Sequence, residues 1–155
     1  MFDPATHCGD TQLGLSITEI KVGDTASFGK TLTEADAYQF SGIIGNFNPI
    51  HVNKEFCSAI GLGKRIVPSM LVASMVSKIL GTQLPGNGTV HVSQEMEFLR
   101  PVFIGDTVTC HVEVSGVDGK AQRVRLDIAC INQDGDIVAR GETEAIPPVI
   151  DKGRH

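Results

Sequence analysis

The sequence predicts an α+β fold in which one antiparallel sheet of five strands curls around a single long apolar helix. Three observations carry that prediction. Residues 68–80 read Pro-Ser-Met-Leu-Val-Ala-Ser-Met-Val-Ser-Lys-Ile-Leu, and a helix apolar on nearly every side has to be buried on most sides. Four later segments, 89–99, 107–114, 123–131 and 137–146, alternate apolar and polar residues, the last more weakly, which is the period of a strand with one covered face. The turn pairs Gly105-Asp106, Asp118-Gly119 and Asp134-Gly135 keep them apart by short connections, and short connections mean antiparallel neighbours. The chain has 155 residues, 41% of them hydrophobic, which suits one domain with a sizeable core and no staples.

The first strand lies within Ile17 to Leu32, after the turn at Val22-Gly23-Asp24. Thr33 then caps a helix, with Asp36 placed to complete a capping box. Ala37, Phe40 and Ile44 recur at helical spacing. Asn48-Pro49 ends this helix near Gly45, because the residue before proline avoids the helical region. Residues 46–64 read as loop and short helix. The apolar helix follows from Pro68, with Gly81 as its stop. In the strand at 89–99, Val90, Val92, Met96 and Phe98 form the covered face, and His91, Ser93, Glu95 and Glu97 the polar one. Residues 1–15 read as an N-terminal arm, 16–148 as the domain and 149–155 as a tail.

Charge and cysteine content exclude several classes. Thirteen basic residues against eighteen acidic ones leave a net charge of −5, the wrong sign for a protein that coats phosphates, so no nucleic-acid partner is expected. No apolar run is long enough to span a membrane. Cys8, Cys57, Cys110 and Cys130 show no Cys-x-x-Cys spacing and read as reduced, mostly buried thiols of a cytoplasmic protein. The acids and histidines lack metal-ligand spacing, so no metal is expected.

The densest polar signal is Ile44-Gly45-Asn46-Phe47-Asn48-Pro49-Ile50-His51. It sits on a turn straight after a helix, where side chains can be aimed into a cleft. His51 can give or take a proton near neutrality. The plain alternative is a turn whose histidine satisfies a backbone carbonyl. A second signal is the start of the apolar helix at Ser69, whose free N–H can hold a developing oxyanion. Every helix has such an end, and most bind water.

These residues carry a family resemblance. Asn46-Phe-Asn-Pro-Ile-His51 resembles the Asp-x-Asn-Pro-x-His motif of the MaoC-like (R)-specific enoyl-CoA hydratases. Ile66 to Ser74 resembles their Ile-Val-His-Gly-Met-Leu-x-Ala-Ser segment, and Gln83-Leu84-Pro85-Gly86 and Phe98 to Asp106 extend the likeness. The resemblance runs from about Ile17 to Ile146 and implies a hot-dog fold in a homodimer. It implies reversible syn addition of water to a trans-2-enoyl-CoA, with the coenzyme A thioester as substrate and no separate cofactor. It assigns His51 and Asn46 to the reacting water, Ser69 to the thioester carbonyl, and Ser77 and Asn48 to supporting positions. Lys54, Lys64 and Arg65 around the motif loop, with Arg100 and Lys120, are the candidates for the CoA phosphates, Lys64 and Arg65 first for their closeness to the helix start; the plain alternative for each is a solvated charge.

The departures from the motif fall on the chemistry. Asn46 stands where the family has aspartate, and a carboxamide is no base near pH 7. Pro68-Ser69 stands where the family has His-Gly. Two other readings stay open: a non-catalytic acyl-CoA binder or partner subunit, and an acyl-CoA thioesterase. The thioesterase reading is opposed by the absence of Asp or Glu between Pro68 and Leu80. The hydratase reading requires the ring of His51 to face a cavity and not bulk solvent.

Overall fold

The computed structural model describes residues 12–149. Most of the expected arm and all but the first residue of the expected tail lie outside them. The end of the arm is tied down, with Gly14 N donating to Asn87 O and Leu15 N to Pro85 O, both at 2.8 Å.

The chain forms β1 (Thr25–Thr31), α1 (Glu34–Ile44), α2 (Pro49–Val52), α3 (Lys54–Ala59) and α4 (Ser69–Thr82). β2 (Val90–Phe98), β3 (Thr107–Asp118), β4 (Arg123–Ile131) and β5 (Ile137–Ile146) follow. The five strands make one antiparallel sheet in the order β1-β3-β4-β5-β2. α4 packs on it through β1, β2 and β3. The layout is the α+β hot-dog, a sheet wrapped round its central helix. Val72, Val76, Ile79 and Leu80 of α4 are buried against Val108, Val112, Val124 and Leu126 of the inner sheet face. Burying a side chain of this size is worth about 1.5–3 kcal/mol, which makes this seam the core of the fold.

Local rules account for α1. Thr33 accepts from Asp36 N while the Asp36 carboxylate accepts from Thr33 N at 2.8 Å, so two otherwise orphaned N–H groups are satisfied together. Those bonds, with Lys30 adding to them, hold the Asp36 carboxyl below its ordinary pKa. Gly45 closes the helix in the left-handed region at φ 70°, which glycine reaches without steric cost.

Four expectations need correction. α4 is not covered on nearly every side in a single chain: Met70 is 59% exposed, and Ser74, Ser77 and Lys78 are exposed along the same side. Gly81 does not stop α4, which continues to Thr82. Cys110 and Cys130 are not separate thiols. They are register partners across β3 and β4 and form a disulfide, while Cys57 is free and buried. The faces of β2 are also not those of simple alternation. A register shift between His91 and Ser93 breaks the phase, leaving Val90 58% and Val92 38% exposed.

Among the described residues no helix is long and apolar enough to cross a membrane, and no group of three or more His, Cys, Asp or Glu is placed to hold a metal.

Candidate active site

The loop between α1 and α2 is built from two successive Asx turns. Asn46 Oδ1 accepts from Asn48 N at 3.2 Å. Asn48 Oδ1 accepts from Ile50 N at 3.3 Å and caps α2, with Pro49 as its first residue. Proline loses nothing there, since its missing N–H is one of the helix's orphans. This puts His51 at the end of a rigid turn, 6% exposed.

Nδ1 of His51 lies 2.9 Å from the carbonyl oxygen of Ile66. A carbonyl only accepts, so Nδ1 carries the proton and the neutral ring keeps its lone pair on Nε2. The plain alternative from the sequence therefore holds for one ring nitrogen, and that bond fixes the other as a proton acceptor.

The same segment ties the motif loop to α4. Ile66 N donates to Ile50 O at 3.1 Å and Val67 N to Val102 O at 2.9 Å, and Ile66 bridges to Phe103. Three residues on, Ser69 opens α4. Three extended residues reach at most about 11 Å, so the carbonyl that orients His51 is within one short segment of the helix start. Pro68 caps α4 with no side-chain hydrogen bond, so no cap side chain takes up the N–H groups of Ser69 and Met70 at the mouth of the helix. Ser69 is exposed.

The other candidates separate. Arg65 is engaged: its guanidinium pairs with Glu34, whose hydrogen bond raises the Arg65 pKa further, and it donates to Tyr38 Oη at 2.9 Å. A phosphate would have to displace both partners. Lys64 and Lys120 are exposed. Arg100 pairs with Asp136 at 3.5 Å and borders the same small pocket as Ser69.

Ser77 lies two turns down α4 from Ser69, on a groove of about 430 Å³. Its walls come from Phe40 of α1, Met70, Ala73, Ser74 and Ser77 of α4, and His91, Gln94, Met96 and Phe98 of β2. His51, Asn46 and Ser69 are not among its lining residues. The ring of His51 is withdrawn from bulk solvent, but within one chain it does not border this groove. Sequence reasoning missed His91 and Gln94 as groove residues, because strict alternation puts His91 on the opposite face.

Comparison with known proteins places this site in context. The family model described as "MaoC like domain" matches residues 19–132. An (R)-specific enoyl-CoA hydratase of Rhodospirillum rubrum is 39% identical over 130 residues, covering 84% of this chain and 90% of that protein. A 3-hydroxybutyryl-CoA dehydratase of Methylorubrum extorquens is 37% identical, covering 83% of this chain and 81% of its own length. Among solved structures, the (R)-hydratase of A. caviae involved in PHA biosynthesis superposes with a TM-score of 0.81 at 33% identity, covering 83% of this chain and 98% of that one. The unliganded R-hydratase PhaJ1 of Pseudomonas aeruginosa gives 0.84 at 31%, with 88% of each chain covered.

Proposed function

This chain belongs to the MaoC-like domain family, and from that premise we propose that it is an (R)-specific enoyl-CoA hydratase, a lyase that adds water reversibly and syn across a trans-2-enoyl-CoA. The observation that carries the reading is the Nδ1–H bond from His51 to Ile66 O, which leaves Nε2 as a base.

Asn46 shapes how the reaction runs. Its Oδ1 is taken by Asn48 N, so the end left free is the NH₂, a donor only. An aspartate in the same turn would leave a free carboxylate oxygen. Here Asn46 holds the water by its oxygen, and His51 alone removes the proton as that oxygen bonds to C3. The C2=C3 pair moves toward the thioester carbonyl, whose developing negative charge is met by the N–H at Ser69. The imidazolium then returns its proton to C2. One base acting twice from one side gives syn addition. The coenzyme arrives as part of the substrate, and the step needs no further cofactor.

The chain acts as a homodimer in this reading. Its support is the apolar exposure on both sides of Gly45, where Ile43 is 82% and Phe47 59% exposed. Large exposed apolar patches mark interaction surfaces. Sedimentation at micromolar concentration tests this, and a monomer would contradict it.

Purified protein with crotonyl-CoA should lose the absorbance of the conjugated thioester, and His51→Ala should abolish that loss. No change above background, with His51→Ala indistinguishable, rejects turnover of this substrate. Asn46 favours a second reading, an acyl-CoA binder without turnover, which predicts calorimetric binding and no hydration at any chain length. A thioesterase would release free thiol. α4, Ser69–Thr82, carries no carboxylate to support that reaction.

A further inference from the structure

His91 is turned into the α4 groove by an irregularity that has to be maintained against the sequence pattern. On β2 His91 pairs with Ala145 but Ser93 pairs with Glu144, so one extra residue sits between two successive partners. That bulge reverses the phase and puts His91 on the face of Gln94, Met96 and Phe98, with which it lines the groove. Bulges re-aim side chains in this way. The same bulge leaves Val90 and Val92 exposed at the edge of the sheet.

A buried threonine sets the ring. Thr143, 1% exposed, lies 2.8 Å from Ser93 O and 3.0 Å from His91 Nε2. Its single hydroxyl proton goes to the carbonyl, which can only accept. Toward His91 it must therefore accept, and Nε2 carries the proton. The neutral ring then keeps its lone pair on Nδ1. Two neighbouring donors on the groove wall are already used: Ser74 Oγ donates to Leu71 O at 2.7 Å and Gln94 Nε2 to Ala73 O at 3.1 Å.

The groove begins at Met70, one residue inside α4, and follows the helix to Ser77. Seven residues at about 1.5 Å each give roughly 10 Å. Ser69 borders a separate small pocket, and Phe98 walls both that pocket and the groove, so a thioester whose carbonyl sits at the helix start would pass its acyl chain by Phe98 into this length.

We propose that His91 makes the groove selective for acyl chains carrying a hydroxyl over plain alkyl chains, through a hydrogen bond accepted at Nδ1. The inference rests on the acyl-CoA reading above and adds to it the class of chain. A plain alkyl chain displaces water from Nδ1 and gives nothing back, whereas a hydroxyl replaces the lost bond. Sites built to bond a hydroxyl reject the analogue that lacks it.

The test uses the full chain and pairs of trans-2-enoyl-CoAs of equal length, one unsubstituted and one ω-hydroxylated, over a series of lengths. The ratio of kcat/KM values should favour the hydroxylated member by about tenfold at the length that reaches His91. His91→Phe should bring that ratio to one or below, His91→Asn should restore part of it, and Thr143→Val should reduce it. A wild-type ratio near one at every length overturns the proposal. So does a ratio that survives in His91→Phe while both rates fall, the signature of a purely structural histidine. If the wild type turns over nothing, calorimetry with saturated acyl-CoAs decides. A hydroxyl preference lost in His91→Phe then upholds the selectivity while the hydratase reading fails, and no preference overturns the selectivity too.

Discussion

Replacing Asn46 by aspartate should convert a water-holding residue into a second base, with the fold left as it is. Asn46 is exposed, and its one structural duty, accepting from Asn48 N through Oδ1, passes unchanged to a carboxylate oxygen. Substitutions of this kind stay within about 0.5 kcal/mol in stability. The atom that changes is the free end: an NH₂ that only donates becomes an oxygen that accepts. A positioned general base contributes roughly 10²–10⁴ in rate, or about 2.7–5.5 kcal/mol of barrier at 1.36 kcal/mol per decade. His51 already removes the proton in the wild type, so the gain should fall toward the lower figure. The assay is the initial rate of crotonyl-CoA absorbance loss, with the denaturant midpoint as a fold control. A gain confined to kcat would place the effect in the transition state. An unchanged rate at unchanged stability would refute the reasoning, because the free end of residue 46 would then not reach the reacting water.

Other perturbations follow from the same contacts. His51→Ala should lose about 1–3 kcal/mol in urea unfolding as well as activity, since the Ile66 carbonyl loses its partner in a buried place; full stability would show that the bond does not order the loop. Thr33→Ala should cost about 1 kcal/mol through the lost cap, visible as a lower Tm. Because folding lowers the Asp36 pKa, its contribution is present above the unfolded-state value, about 4, and is lost as pH falls through the lower folded value. Asp36→Asn should therefore be less stable than wild type at neutral pH, with the gap closing on acidification; a gap that widened toward acid would contradict the assignment. Gly141→Ala should destabilise by about 1–3 kcal/mol, because its Cβ would fall on the Glu95 carbonyl of β2. Amide exchange should show β2 loosening first, and uniform loss of protection would argue against a local clash.

The candidate site was legible in part. The Asn46–His51 stretch identifies itself by its own turn chemistry, and the fold ties it through Ile66 to the segment that opens α4. Arg65 could not be read as engaged, because its partner Glu34 lies 31 residues away. Nor could the tautomer of His51 be read, since it depends on a carbonyl 15 residues on.

What this sequence determines by itself is whatever depends on neighbours a few residues apart. The Thr33–Asp36 capping box, the turn at Asn48-Pro49, the buried seam of α4 and the bounds of β4 and β5 all rest on rules of period and turn chemistry. Tertiary structure alone decides which strands pair and in what register. From that follow the Cys110–Cys130 disulfide, the exposed side of α4 and the turning of His91 into the groove. A bulge is one extra residue in a hydrogen-bonding ladder, and the ladder exists only once distant strands have met, so no window of the chain can hold its signature.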